Sequence, residues 1–130
     1  MAATIDVEVS AGELIDKLTI LEIKLERIPD GNQLLNVRTE LAALVASRDR
    51  AIPPSPELAA LTRELKQMNE SLWQIEDEIR DCERQKNFGA PFVELARAVY
   101  KTNDRRAALK RQINELLGSR LIDEKSYAPY

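Results

Sequence analysis

Residues 56–86 read PELAALTRELKQMNESLWQIEDEIRDCERQK. Within them Leu58, Leu61, Leu65, Met68, Leu72, Ile75, Ile79 and Cys82 recur at spacings of three and four, alternating without a break. That is a heptad seam, the pattern of a helix that lays one narrow apolar stripe against another helix. Ser55 is a good N-cap and Pro56 suits the first helical position. Asn87-Phe88-Gly89-Ala90-Pro91 breaks the pattern. The spacing therefore predicts a helix over 56–86, roughly 45 Å long at 1.5 Å per residue.

Working outward, the next segment predicts a helix over 91–117, with Gly118 as its C-terminal cap. Its heptad positions are Phe92, Leu95, Val99, Thr102, Arg106, Leu109, Ile113 and Leu116, apolar at both ends and polar in the middle. Upstream, Leu14, Leu18, Leu21, Leu25 and Ile28 mark a helix over 10–28. Ser10 and Glu13 have the spacing of a capping box. Pro29-Asp30-Gly31-Asn32 supplies turn chemistry, and Leu34, Val37, Leu41 and Leu44 mark a second helix over 32–50. Thr4–Val9 alternates apolar Ile5, Val7 and Val9 with acidic Asp6 and Glu8, as a half-buried strand or an extended arm would. The tail, 118–130, carries Leu121, Ile122, Tyr127 and Tyr130 and is expected to pack back onto the helices. The expected fold is all-α, one domain over 1–130: a short helix hairpin on a long one, four-helix and coiled-coil-like, with an N-terminal extended arm over 1–9.

Composition narrows the chemistry. The 130 residues contain no histidine and one cysteine, Cys82. That removes His-based triads, His metal ligands and intramolecular disulfides, so neither a metal nor a cofactor is expected. A net charge of −3 gives no global attraction to nucleic acid. No apolar run reaches the roughly 18–20 residues of a membrane span, and Met1–Asp6 has no basic or apolar leader. A cytoplasmic protein is expected.

One constellation departs from the apolar pattern. On a helical wheel Asn103, Arg106, Lys110 and Asn114 overlap the apolar stripe of the last helix. Asn69, Trp73, Glu76 and Arg80 form a second stripe beside the heptad seam, with Asp77 adjacent. Glu13, Lys17 and Lys24 share a stripe with Ile20 on the first helix. In an antiparallel hairpin about residue 89, Glu76 and Asp77 lie near the level of 101–103, within a turn of Arg106. Cations on a core-facing stripe need acidic partners or water, and Glu76, Asp77, Glu13 and Asp16 are the candidate acids. Two readings stay open: an ion-pair network that fixes helix register, or a pocket for a small anion. In the second, Arg106, Lys110 and Lys17 meet a carboxylate, phosphate or nucleotide sugar, with Trp73 and Tyr100 as walls.

The strings GELIDKLTILEIK (12–24), LWQIEDEIR (72–80), NDRRA (103–107) and EKSY (124–127) resemble a family of small bacterial proteins without an assigned activity. The resemblance spans nearly the whole chain. It implies a bacterial accessory protein from gene neighbourhoods rich in glycosyltransferases and surface-polysaccharide functions, and it assigns no catalytic residue. Ile15-Asp16 followed by Arg27 is also similar to the first helix of the helical chorismate mutases, although the arginine expected ahead of Ile15 is missing. The expected function is a non-enzymatic helical binding protein that self-associates as a dimer or meets a protein partner; the alternative is a small-anion binding protein or enzyme using the basic cluster of the last helix. The short hairpin looks too short to cover the apolar seam of the long one, and a second copy is expected to do so.

Overall fold

The computed structural model describes residues 3–130. It contains four helices, α1 (Ala11–Arg27), α2 (Gly31–Ala51), α3 (Pro56–Arg84) and α4 (Ala90–Leu117), and no strand among the described residues. The fold is all-α, and the ends of the helices follow from local chemistry. The Ser10 hydroxyl accepts from the Glu13 N–H at 3.0 Å and starts α1. Ser55 does the same for the Leu58 N–H at 3.1 Å, with a proline in the first turn of α3. Gly118, in the left-handed region at φ 61°, closes α4. Asp30, read from sequence as part of a turn, caps α2 through the Gln33 N–H, so that helix starts at Gly31. α3 stops at Arg84, two residues before the expected end, because Lys86 turns to φ 58°.

α1 is the hub. It packs against each of the other three helices, while α3 and α4 pack along each other and α2 packs on α1. The core joins Leu14, Ile15 and Leu18 of α1 to Leu58 and Leu65 of α3 and Leu109 and Ile113 of α4; Leu41, Leu44 and Val45 of α2 close it on the remaining side. The α3 seam from Leu58 to Cys82 is buried or half-buried throughout. The expectation that a second copy is needed to cover it is therefore corrected: α1 and α4 cover it within the chain. Leu116, placed on the α4 seam from sequence, is exposed instead.

The α1–α4 contact is close because Gly12 sits in it. A Cβ at Gly12 would lie 2.5 Å from the Lys110 carbonyl oxygen and 3.0 Å from Asn114 Oδ1. That approach lets the Asn114 side chain accept the Gly12 N–H at 2.6 Å. Residues 3–9 form an exposed arm without regular structure. The tail runs back beside α4, held by Asp123 on Ser10 (2.7 Å) and by the Tyr130 hydroxyl on Asp104 (2.6 Å). Its tyrosines do not bury, contrary to expectation: Tyr127 is 79% and Tyr130 78% exposed, although Tyr130 meets the edge of Tyr100 at 5.0 Å between centroids. The tail is fastened by polar contacts more than by apolar burial.

Candidate functional site

The polar residues of α1 and α4 meet as two consecutive ion pairs. Glu13 accepts from Lys110 Nζ at 2.5 Å, and Asp16 receives two donors of the Arg106 guanidinium, Nε at 3.0 Å and Nη2. Rising sequence on α1 meets falling sequence on α4, which makes the two helices antiparallel and spaces the pairs about one turn apart. Asp16 is 1% exposed and Arg106 25%, so the carboxylate is enclosed while its cation reaches the surface. Lys17 stands 3.9 Å from Glu13 on the outer side.

A second layer holds Asp16 in place. Asn69 Nδ2, from α3, donates to Asp16 Oδ1 and to Thr19 Oγ1, each at 2.9 Å. The Thr19 hydroxyl in turn donates to the Asp16 carbonyl at 2.7 Å. A carboxylate only accepts, so the Asn69 amide must turn its nitrogen toward it. Among the described residues no fully buried polar side-chain atom lacks a partner, as a stable buried network requires. The Asp16 carboxylate raises the Arg106 guanidinium above its ordinary value, outweighing the burial that lowers it.

The ten residues singled out from sequence fall into three groups. Glu13, Lys17, Arg106, Lys110 and Asn103 belong to the ion-pair ladder, Asn103 Oδ1 accepting from Arg106 Nη1 at 3.4 Å. Trp73, Glu76, Asp77 and Arg80 line a groove of about 460 Å³ between α1 and α3, with Arg106 at its end and Ile20, Ile23 and Leu72 as its apolar wall. Asn114 stands apart, 1% exposed, bonded to Gly12 and, at 3.4 Å, to Asp123. Of the candidate acids, Asp16 and Glu13 take the cations. Glu76 pairs with Arg80 inside α3 instead.

Asp16, Thr19 and Asn69 form the centre of this network but were not among the ten. Asp16 was legible as a candidate acid, and Asn69 as part of a polar stripe. Thr19 gave no signal. A larger groove, about 800 Å³, lies between α4 and the tail, lined by Tyr100, Asn103, Arg106, Lys125, Tyr127 and Tyr130 among others; the sequence pattern gave no hint of it beyond the apolar tail.

No helix of the described residues is long and apolar enough to cross a membrane. A comparison with curated proteins and with solved structures gives no match. A family model matches residues 5–129, nearly the whole chain. The hub helix, its ion-pair ladder and the groove between α1 and α3 lie inside that match, and the chain accordingly belongs to DUF6165, a family of unknown function.

Proposed function

We propose that this protein works by association rather than by catalysis: a helical binding protein whose first partner is a second copy of itself. The observation that carries the reading is the arm. Ile5 and Val7 are 85% and 73% exposed, and their alternation with Asp6 and Glu8 gives the segment one apolar edge. Exposed backbone with an apolar edge is a surface for strand addition or for docking on another chain. The ladder supports the same reading. Arg106 and Lys110 are matched by Asp16 and Glu13, so a small anion at these cations would have to displace a carboxylate from each. The resemblance adds a bacterial, cytoplasmic setting beside surface-polysaccharide enzymes, and we propose that setting with it.

Light scattering at micromolar concentration tests self-association. One chain has a mass of 14.7 kDa; a measured mass near twice that value is expected, and a mass near one chain would overturn the proposal. Ile5→Asp with Val7→Asp should return the dimer to single chains without unfolding them, since both side chains are exposed. Leu65→Asp is unsuited to this purpose: Leu65 is fully buried, and a charge there unfolds the chain.

A further inference from the structure

The groove between α1 and α3 is lined by two cations and two carboxylates, but its cations are both taken. Of its two cations, Arg106 is engaged by Asp16 and Arg80 by Glu76. Asp77 has no cationic partner among the described residues. What remains open along the groove is a row of acceptors. Asn69 is 6% exposed and lines the groove. Its Nδ2 is fixed toward Asp16 and Thr19, and its Oδ1 has no hydrogen bond among the described residues. Among the described residues every fully buried side-chain polar atom has a partner, so this unbonded oxygen is not fully buried, and Asn69 lines the groove. Trp73 stands one turn before Asp77 on the same face of α3, and Ile20, Ile23 and Leu72 complete an apolar wall.

We infer that this groove is a binding site for a small organic cation, an ammonium or guanidinium carried on a short apolar body. The cation pairs with the Asp77 carboxylate; the Asn69 oxygen, two turns earlier and roughly 12 Å away along α3, accepts from a second donor or from water. An indole face beside a carboxylate attracts a cation through the ring quadrupole, and the apolar wall takes the hydrocarbon. A volume of about 460 Å³ lies in the range of small-molecule sites. The inference is independent of self-association, since it uses no residue of the arm.

Trp73 is the chain's only tryptophan, so its fluorescence reports this groove alone. Hexylammonium, hexanol and hexanoate, titrated to roughly 50 mM at constant ionic strength, separate charge from hydrocarbon; ligands this small bind weakly. Hexylammonium should give a saturable change, with hexanol at least fivefold and hexanoate at least tenfold weaker. Asp77→Asn should weaken hexylammonium at least fivefold while leaving hexanol unchanged, and the exposed position keeps the fold intact. Asn69→Leu removes the second acceptor but disturbs the Asp16 network, so Asp77→Asn is the deciding variant. Absence of a saturable change, hexanol as strong as hexylammonium, preference for hexanoate, or an Asp77→Asn chain that binds as before would each overturn the proposal.

Discussion

Asp16 and Arg106 make the same bond, yet the two side chains are not equivalent. Arg106 is a quarter exposed and reaches water if its partner goes. Asp16 is enclosed, and without Arg106 it keeps only Asn69 as a side-chain partner. Removing the cation from a buried pair leaves an uncompensated charge, which costs about 3 kcal/mol or more. Removing the anion here leaves a cation that can be solvated, at about 1–2 kcal/mol. Urea denaturation should therefore rank Arg106→Ala as clearly the more destabilising of Arg106→Ala and Asp16→Ala; equal losses would mean that Asp16 is hydrated in solution. Gly12 supplies a second contrast at this scale. Alanine is the better helix former by about 1 kcal/mol, but a methyl group at 2.5 Å from a backbone oxygen forces α1 and α4 apart. Gly12→Ala should lower the stability by about 1–3 kcal/mol net, visible as a depressed melting temperature.

At the scale of elements, α1 shows where periodicity is informative and where it fails. The seam of α3 was legible because one face of that helix is dry and the other wet, so residue type tracks direction. α1 is covered by three helices, and Asp16 and Thr19 are as deeply buried as Leu18. A polar residue inside such a helix looks, in sequence, the same as one facing water. The choice of Asp16 over Glu76 for Arg106 was equally out of reach, because it depends on where α1 crosses α4, and Gly12 sets that crossing. The start of α1 also departs from a simple capping box. Ser10 caps it, but Glu13 turns to Lys110 instead of back to its own N-terminus. The Ser10 hydroxyl donates to Asp123, which links the tail to this cap. Burial raises the Asp123 carboxyl, but hydrogen bonds from Ser10 and Asn114 together with the charge of Lys110 outweigh it and lower the group below its ordinary 3.8. A lowered folded value means the link stabilises fully above the unfolded value and is lost as pH falls through the folded one. Amide exchange around Ser10 and Ser119 should thus accelerate as pH drops below about 3.8, after correction for the intrinsic rate. In Asp123→Asn that part of the pH dependence should disappear, and an unchanged profile would show that the tail is fastened elsewhere.

For the whole molecule, the arm's charge decides how two copies can meet. If two arms paired with their apolar edges on one face, Asp6 and Glu8 would fall opposite acids of the other copy. Like charges directly opposite are destabilising. The arm is better suited to lie on the body of a partner, and dimer formation should strengthen only modestly with salt if it does so. If arm paired with arm, screening of four carboxylates would make the salt effect steep. Sedimentation at two salt concentrations separates these arrangements.

The ladder between α1 and α4 also sets a clock for synthesis. Glu13, Asp16 and Gly12 find their partners 97, 90 and 102 residues later in the chain. At the pace of translation, about 5–20 residues per second, that interval is roughly 5–20 s. Until α4 emerges the hub helix has only α2 and then α3 to pack on; its α4 side stays open, and Glu13 and Asp16 lack Lys110 and Arg106. The nascent chain consequently stays open to chaperones and proteases on that side until α4 emerges. A fragment ending at Gly89 should remain open to proteolysis in α1, and adding α4 as a separate peptide should restore its protection.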